Sequence, residues 1–70
     1  MGTVAVIGES VRVAGFQLAG AVVLAAEDAE AARAAWRSLG PDVVLVILTP
    51  EAAAAVGEVS GGPLTVVMPG

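Results

Sequence analysis

Short apolar runs alternate along this chain with segments whose apolar positions recur at helical spacing. Thr3 to Ile7 reads as a first buried strand closed by Gly8. Ser10 is placed to cap a first helix that runs to about Ala19, with Gly20 as its stop. Ala21 to Ala25 forms a second strand. Asp28 then caps a second helix, with Glu30 near the positive end of its dipole. The apolar stripe of that helix is Ala32, Ala35, Trp36 and Leu39. Glu30, Arg33 and Arg37 lie off the stripe, and Glu30 is within pairing distance of Arg33.

Gly40-Pro41 stops the second helix, because glycine tolerates a left-handed turn and proline cannot continue. Val43 to Leu48 is apolar at six successive positions, four of them β-branched, which predicts a central strand buried on both faces. Thr49-Pro50-Glu51 joins a capping hydroxyl, a proline at the first helical position and an early acid. The third helix it starts is expected to reach about Val59, with Gly57 weakening its end. Ser60 to Pro63 is a loop, Leu64 to Met68 a fourth strand, and Pro69-Gly70 follows.

The order βαβαβαβ predicts one α/β domain over residues 1–70, with a small, doubly wound, receiver-like (Rossmann-like) parallel sheet of order 2-1-3-4. Right-handed crossovers put the first helix on one face and the second and third on the other. The first helix's face is then bare beneath strands three and four. Val43 to Leu48 and Leu64 to Met68 each contribute an alternating half of their side chains there. The isolated chain is therefore expected to self-associate through this face, or to be stabilised by a further tail or a partner.

Composition narrows the chemistry. The chain has no Cys and no His, so thiolate sites, disulfides and the commonest general base are excluded. Net charge is −4 with three Lys+Arg in total, all arginine: Arg12, Arg33 and Arg37. No phosphate-neutralising patch for nucleic acid is available. No uncharged apolar stretch reaches the roughly 18 residues of a membrane helix, and no charged leader precedes an apolar run. Without lysine there is no Walker loop, and Gly8-Glu9-Ser10-Val11 is not a dinucleotide fingerprint. A phosphoacceptor receiver needs an Asp where this chain has Leu48-Thr49.

Open parallel sheets bind ligands at their carboxyl ends, where Glu9, Ser10, Glu27, Asp28 and Thr49 gather. Ser10, Asp28 and Thr49 each have a local capping role, and the glutamates a solvated one. Glu9, Glu27 and Asp28 offer oxygen ligands of low specificity to Mg²⁺ or Ca²⁺. No catalytic residue, cofactor site or metal site is assigned. Gly15 is expected to let the first helix approach the sheet, Phe16 to fill the core, and Gly20 to end the helix.

The opening strand with Gly8-Glu9, followed by Gly15-Phe16-Gln17-Leu18-Ala19-Gly20, resembles the F subunit of the V/A-type rotary ATPases. That family begins with a strand ending Ile-Gly-Asp and reaches Gly-Phe-Arg-Leu-Ala-Gly at the same spacing. Its acidic turn before the second helix is echoed by Glu27-Asp28, and its apolar third strand with a Thr and an acid by Leu45 to Glu51. Its Pro-led last strand is echoed by Pro63 to Gly70. The chain departs from the pattern at Glu9, at Val11-Arg12 (Asp-Thr in the family) and at Gln17 (Arg in the family).

The resemblance implies a non-catalytic domain on the central rotor stalk, cytoplasmic and peripheral to the membrane. It would bind the coiled-coil D subunit of the rotor, among other ATPase subunits, and support coupling of ATP synthesis or hydrolysis to ion transport. Family members continue into a helical tail that docks on this coiled coil, and residues 1–70 are expected to be the domain without that tail. The motif residues Gly8, Glu9, Gly15, Phe16, Gln17, Leu18, Ala19 and Gly20 would then belong to an interaction surface. Two other classes fit the pattern: a degenerate receiver-type signalling module, and a fragment of a dinucleotide-binding enzyme.

Overall fold

The computed structural model describes residues 2–57 and 63–69, with residues 17–19 described through their backbone. Strands β1 (Thr3–Gly8), β2 (Val22–Ala25), β3 (Val43–Leu48) and β4 (Leu64–Val67) form one sheet of order β2-β1-β3-β4. Every neighbouring pair is parallel. The helices are α1 (Ser10–Val13), α2 (Ala29–Arg37) and α3 (Pro50–Val56), with a 3-10 segment at Ala14–Ala19. The order, the parallel sense and the three connecting helices are those expected from the alternating pattern.

Side chains along a strand alternate between faces, and cross-strand register partners share one. Ile7 is in register with Leu24 and with Leu48, and Ala5 with Val46. These side chains share the face on which α2 and α3 lie. Ile7, Ala26, Ala32, Val46, Leu48 and Ala52 form a buried cluster there, with Leu24, Ala35, Trp36 and Leu39 packed around it. The expected stripe of α2 is therefore the stripe that packs. α2 is rich in alanine, which favours helix and lets it lie close to α3.

The opposite face carries Val6, in register with Val23 and Ile47. Val6 is fully buried and Val13 of α1 nearly so. Towards the β4 edge the cover runs out. Ile47 and Leu45 are half-buried, whereas Val66 is 46% and Leu64 68% exposed. Burial of β3 on both sides, expected from its unbroken apolar run, is thus full at Val46 and Leu48 on the α2/α3 face and partial on the other.

Val44 has no register partner. Thr3 pairs with Val43 and Val4 with Leu45, so the ladder shifts by one residue between them. This irregularity turns Val43 towards the same core as Val46 and Leu48, and leaves Val44 54% exposed.

The first helix differs most from its expected form. Helical geometry lasts from Ser10 to Val13 and then tightens into a 3-10 segment of six residues. That is longer than the usual three or four. Val11 is 89% exposed and has no packing to reward its ordering. Gly15 follows, and glycine costs a helix about 1 kcal/mol relative to alanine. Gly20, at φ +82°, ends the segment as expected. α3 ends at Gly57, φ +76°, ahead of the loop that the sequence pattern starts at Ser60. The expected continuation to Val59 and the loop over 60–62 lie outside the described residues.

The two faces should differ in energetic weight. Leu48→Ala, at 2% exposure, is expected to cost about 2–5 kcal/mol in urea unfolding. Leu64→Ala should change stability by about 0.5 kcal/mol or less. Equal losses would mean that the β4 side of the thin face is covered in solution.

Candidate functional site

The carboxyl ends of the strands carry Gly8-Glu9-Ser10, Ala26-Glu27-Asp28 and Leu48-Thr49-Pro50. The β1–β3 register sets Ile7 against Leu48. The Thr49 N–H donates to the Ile7 carbonyl at 3.1 Å, which extends the ladder one step past the strand. Thr49 is completely buried. Its side chain lies where a Cβ on Gly8 would overlap Thr49 Cγ2 and come within 2.7 Å of Oγ1. Gly8 is therefore required by close approach between neighbouring strand ends.

The Thr49 hydroxyl donates to Glu9 Oε1 at 2.7 Å and accepts from the Ala52 N–H at 3.3 Å. It caps α3, as expected, and also ties α3 to the turn after β1. Asp28 caps α2 by accepting from the Ala31 N–H at 2.8 Å. Ser10 does not cap α1. The N-cap is Glu9, whose side chain makes no capping bond. The Ser10 N–H instead donates to Glu27 Oε2 at 2.9 Å. A carboxylate from the β2–α2 turn does from a distance what the local hydroxyl was expected to do. The positive end of a short helix favours a full negative charge over a hydroxyl dipole.

This bond holds the Glu27 carboxyl below its ordinary value of 4.5, chiefly through the Ser10 backbone N–H and then its side chain. Desolvation and the neighbouring Asp28 oppose the shift. Asp42, before β3, is lowered likewise, first by the Thr3 hydroxyl and then by its own backbone N–H. That hydroxyl donates to Asp42 Oδ2 at 2.6 Å.

Glu9, Glu27, Asp28 and Glu51 border a hollow of about 40 Å³. A water needs roughly 10–15 Å³ of such space, so the hollow holds a few waters at most, and its acidic rim opposes phosphate. Among the described residues no group of three or more carboxylates converges as a metal site. The carboxylates considered as oxygen ligands are instead engaged with Thr49, Ser10 and Ala31.

The remaining motif residues are dispersed. Gly15 has open space where its Cβ would be, so it does not mediate helix–sheet contact. Phe16 is half-buried and belongs to a shallow depression on the thin face with Val4, Gly20 and Ile47, rather than to the main core. The side chains of Gln17, Leu18 and Ala19 lie outside the described set. Glu9 is brought to Gly8 and Thr49, while Phe16 and Gly20 lie towards the amino ends of the strands. Arg12, not singled out from the sequence for any contact, donates to the Pro69 carbonyl at 3.0 Å and joins α1 to the residues after β4. No local pattern signals a bond across so long a separation.

A four-stranded parallel α/β domain of order 2-1-3-4, with its strand ends filled by interlocking caps, is the class this geometry defines. Residues 4–60 match the family of the ATP synthase (F/14-kDa) subunit, and the chain belongs to that family. Membership makes it a component of a rotary ATPase complex, associated with other subunits of that complex. No curated protein matches the chain. Among the described residues no helix is long and apolar enough to cross a membrane.

Two tests probe the site. Gly8→Ala should destabilise by about 1–3 kcal/mol through overpacking, and Thr49→Ser, which removes Cγ2, should recover part of that loss in a double-mutant cycle. No recovery would place the clash elsewhere. The second test concerns acid. Because the folded-state pKa of Glu27 is lowered, its contribution is complete above 4.5 and is lost as pH falls through the lower folded value. The melting difference between wild type and Glu27→Gln should therefore shrink between pH 7 and pH 3. A constant difference would show that the charge on Glu27 does not stabilise α1.

Proposed function

We propose that this chain acts as the non-catalytic F subunit in the central stalk of a V/A-type ATPase, binding the coiled-coil D subunit of the rotor. In that role it supports coupling of ATP synthesis or hydrolysis to ion transport, from a cytoplasmic position peripheral to the membrane. The observation that carries this reading is the family match over residues 4–60, which begins in β1 and extends past α3. The thin sheet face supports it. Val66 and Leu64 are exposed there beside half-buried Leu45 and Ile47, an arrangement suited to an apolar partner surface. The residues of the Gly15–Gly20 motif lie on the α1 side of the sheet, so the family motif and the exposed apolar strip share one side of the domain. In the absence of a partner the same face would draw two copies together.

Coexpression with the coiled-coil rotor partner is the direct test. The chain should copurify with that coiled coil, and Val66→Asp, whose side chain is in register with Ile47, should weaken the complex. The same substitution should move the isolated chain towards monomer in sedimentation equilibrium. Failure to copurify, together with stabilisation by a phosphodonor analogue and Mg²⁺ or by NAD, would replace this reading with a receiver module or a dinucleotide-binding fragment.

A further inference from the structure

The side of the molecule away from the thin face carries a different feature. Arg33, Trp36 and Arg37 on α2, with Val56 at the end of α3, surround a hollow of about 140 Å³. Both arginines are exposed and Trp36 is half-buried, its inner part packed against the α2/α3 core. The chain has three cationic side chains against seven acids. Two of the three cations flank this one hollow. The third, Arg12, is occupied on the Pro69 carbonyl. The acids Glu9, Glu27, Asp28 and Glu51 gather instead around the strand carboxyl ends, and Glu30, one turn before Arg33 on α2, does not line the hollow.

We propose that this hollow is a docking surface for an acidic segment of a protein partner, one presenting carboxylates beside an apolar side chain. Arg33 and Arg37 are four positions apart and lie side by side on the helix surface, where like charges work against the helix. A carboxylate seated between them relieves that repulsion and meets two planar guanidinium forks suited to bidentate bonding. Trp36 offers a ring already held by the core, so little side-chain freedom is lost on contact. Tryptophan and arginine are also the residues most enriched among those that dominate interface energies. The domain as a whole repels acidic partners, which makes this hollow selective for orientation as well as for charge. An anionic membrane is a poorer fit, because lipid-surface recognition uses clusters of about four to eight basic residues.

Trp36 is the single tryptophan of a chain without tyrosine, so its emission reports on the hollow directly. The 70-residue chain is titrated with a synthetic amphipathic glutamate–leucine peptide, with its lysine–leucine counterpart, with inorganic phosphate and with phosphatidylserine vesicles. A saturable shift in emission is expected with the glutamate peptide alone. Arg33→Glu/Arg37→Glu should weaken it by about tenfold or more, while Arg12→Gln leaves it unchanged. Arg33→Lys/Arg37→Lys keeps the charge and should bind between the two. No shift with the glutamate peptide, an equal shift in the charge-reversed variant, or an equal response to phosphate or vesicles would each overturn the proposal.

Discussion

The contact between Gly8 and Thr49 is the constraint from which the rest of the architecture follows. It sits where the two central strands end, and it admits no side chain on one partner and no exposure of the other. A one-residue slip of β3 against β1 would put a bulky aliphatic against Gly8 and turn Val46 and Leu48 out of the core. The buried hydroxyl also has to be satisfied, since an unpaired polar group at this depth is costly. Glu9 and the Ala52 N–H meet that need. Register, the start of α3 and the direction of the chain leaving β1 are consequently decided at one place.

From this point the two sides of the sheet develop differently. α2 and α3 each have a side-chain cap, an acid in the first turn and small residues on the packing face. α1 has an exposed valine, no cap of its own and a glycine close behind, and it is held at its start by Glu27 and at its side by the bond from Arg12. The α2/α3 side is thus the more deeply buried at the centre of the sheet, with Val22 and Val67 half-exposed on its outer strands, and the α1 side is covered less completely. In a component of a rotary ATPase complex, such asymmetry leaves apolar surface on the α1 side open to a neighbouring chain.

The parts of the fold readable from sequence were those governed by neighbours in the chain. The bounds of β3, the cap of α2 at Asp28 and the Thr49-Pro50-Glu51 start of α3 all follow from local chemistry. The parts that were not readable depend on distant groups. Ser10 has the right side chain for a cap, yet a carboxylate seventeen positions away reaches its N–H. Gly15 has the look of a packing glycine, but nothing approaches it. The shift at Val44 requires knowing how Thr3 meets β3. At the candidate site, Glu9 could be picked out as an acid after a strand-ending glycine. Its partner could not, because the pairing of β1 with β3 is a property of topology. A glycine ending one strand and a threonine ending its neighbour would be the signal, once the strand order is known.

The uneven treatment of the two sheet faces also bears on how the domain opens. Hydrogen-bonded segments with few buried contacts open in excursions much cheaper than global unfolding. By that criterion the α1 and 3-10 region, with its long run of tight turns and its open glycine, is expected to exchange its amides ahead of α2, β3 and α3, which share the buried core. A chain bound across the thin face would remove the cheap excursion and so raise the protection of the sheet beneath it. Assembly and local rigidity would then be the same event, seen from the partner's side and from the domain's.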